Sequence, residues 1–131
     1  MICADSSSFI AFIQGRSESD VALVAEALSR GLLVLAPASM TELLSDPRLS
    51  VPMQENLISI PTLEVTAGYW ERAGKLRALL IRHQYRAKTA DTLIAQSCLD
   101  HDVPLVTRDR DFLGFQKLAG LRLLSGPRQV Q

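Results

Sequence analysis

Short apolar segments alternate along this chain with longer segments in which apolar residues recur at helical spacing. Residues 2–5, 32–35, 58–60, 103–106 and 121–124 have the length and composition of buried strands, the last of them at an edge. Helical patterns fill most of the intervals. Because parallel strands need a crossover between them, usually a helix, this order predicts an α/β sandwich with a central, mainly parallel sheet of four to five strands.

Proline, glycine and capping residues mark the expected helix boundaries. Serines at positions 6–8 offer N-cap hydroxyls to a first helix, which Gly15 ends, and Thr89 offers one to the last. The helices that follow the first are expected over residues 19–30, 37–44, 51–57, 66–83 and 90–99. No repeat, low-complexity segment or linker interrupts the chain, so residues 1–131 are expected to form a single domain with a tail at 126–131.

The composition excludes several classes of protein. No uncharged segment approaches the roughly 20 residues that a membrane span requires. The N-terminus lacks a basic segment followed by an apolar stretch, so no secretory signal is expected. Cys3 and Cys98 lie in apolar segments without metal-ligand spacing, which indicates buried thiols in a reducing cytoplasm rather than zinc ligands or a disulfide.

The formal net charge of zero conceals an asymmetry between the two halves of the chain. Residues 1–66 hold three Arg and eight acidic residues, a balance of −5, whereas residues 67–131 hold eleven basic and six acidic residues, a balance of +5. Such an asymmetry indicates either an anionic partner for the basic half or an unevenly charged solvated surface.

Four acidic residues lie within or beside apolar segments, where an uncompensated carboxylate is costly to bury. Asp5 ends the first expected strand, and Asp109 follows the strand over 103–106 by three residues. Glu42 lies in the third helix, and Asp91 lies in the first turn of the last expected helix. Each alone has an ordinary alternative as a cap or a surface charge. Together they would repel one another, and a divalent cation would compensate, so the pattern predicts a metal-dependent enzyme.

Four short motifs surround these acidic residues. They are Asp5-Ser6-Ser7, Thr41-Glu42-Leu43-Leu44, Asp91-Thr92-Leu93-Ile94-Ala95 and Thr107-Arg108-Asp109-Arg110-Asp111-Phe112. In motif order, spacing and total length the chain resembles the PIN-domain nucleases, and most closely the VapC-type toxins of bacterial toxin–antitoxin pairs. The last two motifs are specific, whereas the first two would be weak on their own. The resemblance covers nearly the whole chain.

This resemblance implies a PIN-like α/β/α sandwich and an endoribonuclease. Its metal ligands, by the same resemblance, are Asp5, Glu42, Asp91 and Asp109. Hard oxygen ligands suit Mg²⁺ or Mn²⁺, and water activated by the ion would cleave an RNA phosphodiester to leave a 5′-phosphate and a 3′-hydroxyl. The resemblance also implies a homodimer and inhibition by a cognate VapB-like antitoxin.

Further residues are candidates for supporting the site or touching RNA. Ser6 and Thr107 match family positions that hydrogen-bond within the site, although a helix cap and a strand-end turn explain them equally well. Asp111 is either an additional metal ligand or the cap of the following turn, and the cap is preferred. Lys88, just before the Asp91 helix, is a candidate for RNA contact, and Arg110 is either a phosphate contact or a solvated arginine.

The long helix over 66–83 carries a basic stripe. At 100° per residue, an arc of about 80° contains four basic residues, the last of them close to or past the helix end: Arg72, Lys75, Arg82 and Arg86. Such a stripe neutralises backbone phosphates without reading sequence, but a solvated face or a surface for an acidic partner explains it equally well. The neighbouring face is expected to pack on the core through Tyr69, Trp70, Ala73, Leu76 and Leu80.

Other functions are compatible with the same residues. One alternative is a PIN nuclease in RNA processing that has no antitoxin, and another is a non-catalytic interaction module whose acidic residues are surface charges. A receiver-like signalling domain is disfavoured, because Asp5 has no acidic neighbour and no lysine directly follows a late strand.

Overall fold

The computed structural model describes residues 1–124, in which one or more helices separate successive strands. The expected tail at 126–131 lies outside the described residues. The strands are β1 (Ile2–Ala4), β2 (Leu33–Val34), β3 (Leu105–Val106) and β4 (Leu123–Leu124). The helices are α1 (Ser6–Ile13), α2 (Ser19–Ser29), α3 (Pro37–Leu44), α4 (Val51–Ile58), α5 (Tyr69–Arg82), α6 (Thr89–His101) and α7 (Leu113–Ala119).

The four strands form one parallel sheet in the order β2-β1-β3-β4. Cys3 in β1 lies opposite Val34 on one side and Leu105 on the other. This arrangement confirms the expected parallel α/β sandwich. None of the helices in residues 1–124 has the length and apolar character needed to cross a bilayer.

Helices cover both faces of the sheet. Successive strand residues point to opposite faces, so Cys3 joins one hydrophobic cluster and Ala4 joins the other. The Cys3 cluster contains side chains from α5, α6 and α7, and the Ala4 cluster contains side chains from α1, α2, α3 and α4. Both cysteines are buried, as expected.

The expected strand over 58–60 is wrong. The hydrogen-bond ladder of α4 continues to its C-cap, where Ser59 N–H donates to Glu55 O, and Ile58 is a 63% exposed helical residue. The chain meets the sheet slightly later, where Thr62 forms an isolated parallel bridge with Leu35. The pairing therefore follows Pro61 rather than ending at it.

Several helix boundaries also differ from expectation. Asp5, not a serine, caps α1 by accepting from Ser8 N–H, and Lys88 rather than Thr89 holds the N-cap position of α6. Helix α5 begins at Tyr69 because Gly68 adopts a left-handed turn (φ 82°). A 3₁₀ turn at Arg110–Phe112 and helix α7 were not anticipated.

The expectation that Trp70 packs on the core is also wrong, because its side chain is 63% exposed. The buried face of α5 is narrower than expected and consists of Tyr69, Ala73, Leu76 and Leu80.

Candidate metal centre

The sheet order places the ends of the first and third strands side by side. Parallel strands end at the same edge, where functional groups collect in open α/β sheets. Asp5 directly follows β1, and its N–H donates to Val106 O at the end of β3. Asp109 lies three residues further along. Helices α6 and α3, which pack against each other, bring Asp91 and Glu42.

Asp5 is held rigidly by three donors. One carboxylate oxygen accepts from Ser7 Oγ at 2.7 Å and from Ser8 N at 3.2 Å, and the other accepts from Thr107 Oγ1 at 2.7 Å. Burial raises the pKa of Asp5, and these hydrogen bonds oppose the rise. The result is a carboxylate whose position is fixed before anything binds to it.

The environment of Asp91 disfavours its charged form. Burial and the nearby charge of Asp109 raise its pKa from 3.8 to about 6, against the opposing effect of Lys88. Among residues 1–124, its Oδ2 atom is buried with no hydrogen-bond partner. A buried carboxylate oxygen without a donor is rare and indicates a missing partner, which a cation would supply.

Three carboxylates converge closely enough to bind one ion. Asp91, Asp109 and Asp111 each offer an oxygen, and these oxygens lie within 4.8 Å of one another. The preferred interpretation of Asp111 as the turn cap is wrong, because Asp109 caps the 3₁₀ turn by accepting from Asp111 N at 2.9 Å. The carboxylate of Asp111 is instead one of the three whose oxygens lie close together.

The other two expected ligands, Asp5 and Glu42, lie outside this group of three but close to it. Their charges also raise the pKa of Asp91. Glu42 is exposed and accepts from Ser6 Oγ at 2.6 Å. Thr107 joins two parts of the site, since its hydroxyl donates to Asp5 and accepts from Asp109 N–H at 2.9 Å.

The candidate RNA-contacting residues have different environments. Lys88 is exposed and close enough to Asp91 to lower its pKa, and Arg110 is exposed beside Asp109. Lys75 and Arg82 are exposed on α5, whereas Arg86 lies past the end of that helix. Arg72 has protein partners: its guanidinium donates to Asp100 at 2.7 and 3.0 Å, to Thr66 and to Ala67 O.

Sequence reasoning missed an ion pair that borders the site, between Arg108 and Asp20. A signal was present, because Asp20 lies at i, i+4 and i+7 spacing with Val24 and Ala27, which places an acid on the buried face of α2. All three side chains are buried.

Solved structures of similar fold come from several bacteria. VapBC-1 from nontypeable Haemophilus influenzae is 20% identical, with a TM-score of 0.72 over 95% of this chain and 98% of that chain. FitAcB from Neisseria gonorrhoeae is 17% identical, with a TM-score of 0.68 over 95% and 96%. VapBC-5 from Mycobacterium tuberculosis, a member of the VapBC family of toxin–antitoxin systems, is 16% identical, with a TM-score of 0.63 over 94% and 96%.

Sequence comparison identifies the family. No curated protein sequence matches this chain significantly. A family model, described as PIN domain, matches residues 2–120, which include all the acidic residues discussed above. Because that match spans most of the sequence and the fold agrees with it, this chain belongs to the PIN domain family.

Proposed function

We propose that this chain is a Mg²⁺- or Mn²⁺-dependent endoribonuclease, a VapC-like toxin that acts as a homodimer and is inhibited by a cognate antitoxin. The observation that carries the proposal is the unpartnered Oδ2 of Asp91 beside the carboxylates of Asp109 and Asp111. A set of hard oxygen ligands at this spacing suits Mg²⁺ or Mn²⁺ and not zinc. Membership of the PIN domain family supports a nuclease.

Different residues would have different roles in such a site. Asp91, Asp109 and Asp111 would hold the ion, with Asp5 and Glu42 at its border. A bound divalent cation would lower the pKa of water and neutralise charge that develops on the phosphodiester. Thr107 and Ser7 fix the Asp5 carboxylate, and Ser6 fixes that of Glu42, so these acids need little rearrangement during the reaction.

Exposed basic residues near the acidic cluster supply the proposed RNA contacts. Lys88 lowers the pKa of Asp91, and Arg110 directly follows Asp109. Lys75, Arg82 and Arg86 are further exposed candidates on α5 and just after it. Contacts of this kind neutralise phosphates and hold the strand in register without reading its sequence. We leave Arg72 out of this surface because Asp100 already binds it in a two-pronged ion pair.

An apolar cavity among the helices of the Ala4 cluster is the proposed antitoxin surface. It has a volume of about 480 Å³ and lies between α1, α2 and α4. Its apolar lining consists of Phe9, Phe12, Ile13, Leu28, Met53, Leu57 and Ile60. The similar VapBC-5 structure is that of a toxin–antitoxin system, and an apolar segment of an antitoxin suits such a lining.

RNA cleavage by the purified protein tests the nuclease. The protein is incubated with a tRNA and rRNA pool in Mg²⁺, in Mn²⁺ and in EDTA. We expect discrete fragments only with metal, and none from Asp91→Asn, which keeps the side-chain shape but removes the charge. Asp102→Asn, at the exposed end of α6, is the matched control and should cleave normally. Intact RNA in the presence of folded, Mn²⁺-bound wild-type protein would contradict the proposal.

A further inference from the structure

Arg108 lies between two site residues but points away from the acidic cluster. The chain is extended after β3, so the side chains of Thr107 and Asp109 face the site while that of Arg108 faces α2. Its Nε donates to Asp20 Oδ2 at 2.8 Å, and its Nη2 donates to Asp20 Oδ1 at 2.9 Å and to Glu18 at 3.1 Å. A guanidinium that is paired twice in this way is already neutralised, so it is a poor candidate for a phosphate contact.

The partner of Arg108 is itself connected to the metal centre. Asp20 is 5% exposed, and its Oδ2 also accepts from Ser8 Oγ at 2.8 Å. The N–H of the same serine donates to Asp5. Because Asp5 accepts from Thr107, which directly precedes Arg108, the contacts close into a ring. The ring joins the end of β1 to the loop after β3 and passes through both oxygens of the Asp5 carboxylate.

We propose that the Asp20–Arg108 pair is a positioning device that fixes the carboxylates of Asp5 and Asp109 relative to each other. The inference rests on the proposed metal-dependent function. The bidentate geometry matters, because a planar guanidinium bound at two points fixes both the orientation of the loop and its distance from α2. Partners of this type, which touch the ligands' surroundings and not the ion, alter metal affinity when they are lost.

The chain contains a matched ion pair that serves as the control. Arg72 and Asp100 form a similar bidentate contact. The Asp100 side chain is 10% exposed, and the Asp20 side chain is 7% exposed. Asp100 is hydrogen-bonded to Thr66, Arg72 and Gln96, none of which is a candidate metal ligand. Asp20→Asn and Asp100→Asn therefore remove the same charge from comparable surroundings, with and without the link to the centre.

Two measurements on each folded variant test the proposal. The first is Mn²⁺ affinity by isothermal titration calorimetry, where we expect Asp20→Asn to bind at least about tenfold more weakly and Asp100→Asn to bind like the wild type. The second is amide hydrogen exchange in metal-free protein, where the N–H groups of Asp109 and Asp111 should exchange faster in Asp20→Asn alone. If Asp20→Asn does not fold, Arg108→Lys takes its place. This variant keeps the charge but loses the bidentate contact, so it should show both effects.

The outcomes separate this proposal from the proposed function. Unchanged Mn²⁺ affinity and unchanged exchange at positions 109 and 111 in the folded variants would overturn the positioning role. Wild-type protein that binds Mn²⁺ without cleaving RNA would contradict the nuclease and leave the affinity comparison intact. Wild-type protein that binds no Mn²⁺ would overturn the positioning proposal together with the metal site.

Discussion

Among single residues, Asp91 has a carboxylate whose charged form is disfavoured by folding. Its pKa is raised in the folded chain from 3.8 to about 6, chiefly by burial and then by Asp109. A raised acid pKa means that the fold favours the protonated form. The contribution to stability is therefore fully present below about pH 4 and is lost as the pH rises through about 6 in the absence of metal.

Asp91→Asn should consequently raise the Tm of the metal-free protein at neutral pH, because a neutral amide removes the charge that burial and Asp109 oppose. Mn²⁺ that binds only the folded protein raises the Tm of the wild type. Asp91→Asn should lose this increase, because the amide no longer offers the ion a charged oxygen ligand. Thermal unfolding from pH 4 to pH 8, with and without Mn²⁺, measures both effects.

The fully exposed Asp102→Asn serves as the comparison for that experiment and should leave both effects as in the wild type. A lower metal-free Tm for Asp91→Asn at neutral pH would show that the carboxylate is satisfied by the protein alone.

Among the elements, local signals were sufficient where capping residues and periodicity agreed. The bounds of α2, α3 and α6 fall within about two residues of expectation. Gly31 follows the C-cap of α2, and Pro37 begins α3. Helix α7 has seven residues, too few for a helical period to stand out, and it depends on tertiary packing of Phe115. The position of the Asp111 carboxylate depends on the 3₁₀ turn at Arg110–Phe112, which was not anticipated either. The sequence therefore indicated a group of acidic residues but not the distances between their carboxylates.

The packing of α7 leads to a prediction about its glycine. A Cβ at Gly114 would lie 2.8 Å from the ring of Tyr85, whereas a Cβ at Gly74, in the exposed middle of α5, meets nothing within 4 Å. We expect Gly114→Ala to destabilise the fold by about 1–3 kcal/mol through overpacking. Gly74→Ala should stabilise it by roughly 1 kcal/mol through helix propensity.

Urea denaturation of the two alanine variants provides the measurement. Similar changes in both would show that Tyr85 moves aside and that α7 does not pack tightly against the loop before α6.

At the scale of the whole molecule, the two proposed partners bind at different places on the fold. The acidic cluster lies at one edge of the sheet, and the apolar cavity lies among the helices of the Ala4 face. An antitoxin bound in this cavity would cover α1 and α2, which provide Ser8 and Asp20 to the ring described above. The proposed antitoxin surface and the proposed positioning ring would therefore share α1 and α2.

Substitution at the rim of the cavity tests the partner surface. Leu28 lines the cavity and is 39% exposed, and Leu32 is 38% exposed but outside it. The wild type and the variants are co-expressed with any short reading frame found directly beside the gene. Leu28→Arg should abolish co-purification with its product, because a charge would enter an apolar contact. Leu32→Arg should co-purify like the wild type. Failure of the wild type to retain that product would favour a PIN nuclease without an antitoxin.

The strand order also determines when during translation the centre can form. Strand β1 emerges first and provides Asp5, but its neighbour β3 begins only at Leu105, and Asp109 and Asp111 follow later still. A nascent chain that ends before these residues has the first acid and lacks the loop that completes the group. The proposed nuclease therefore cannot complete its metal centre until Asp111 has been synthesised.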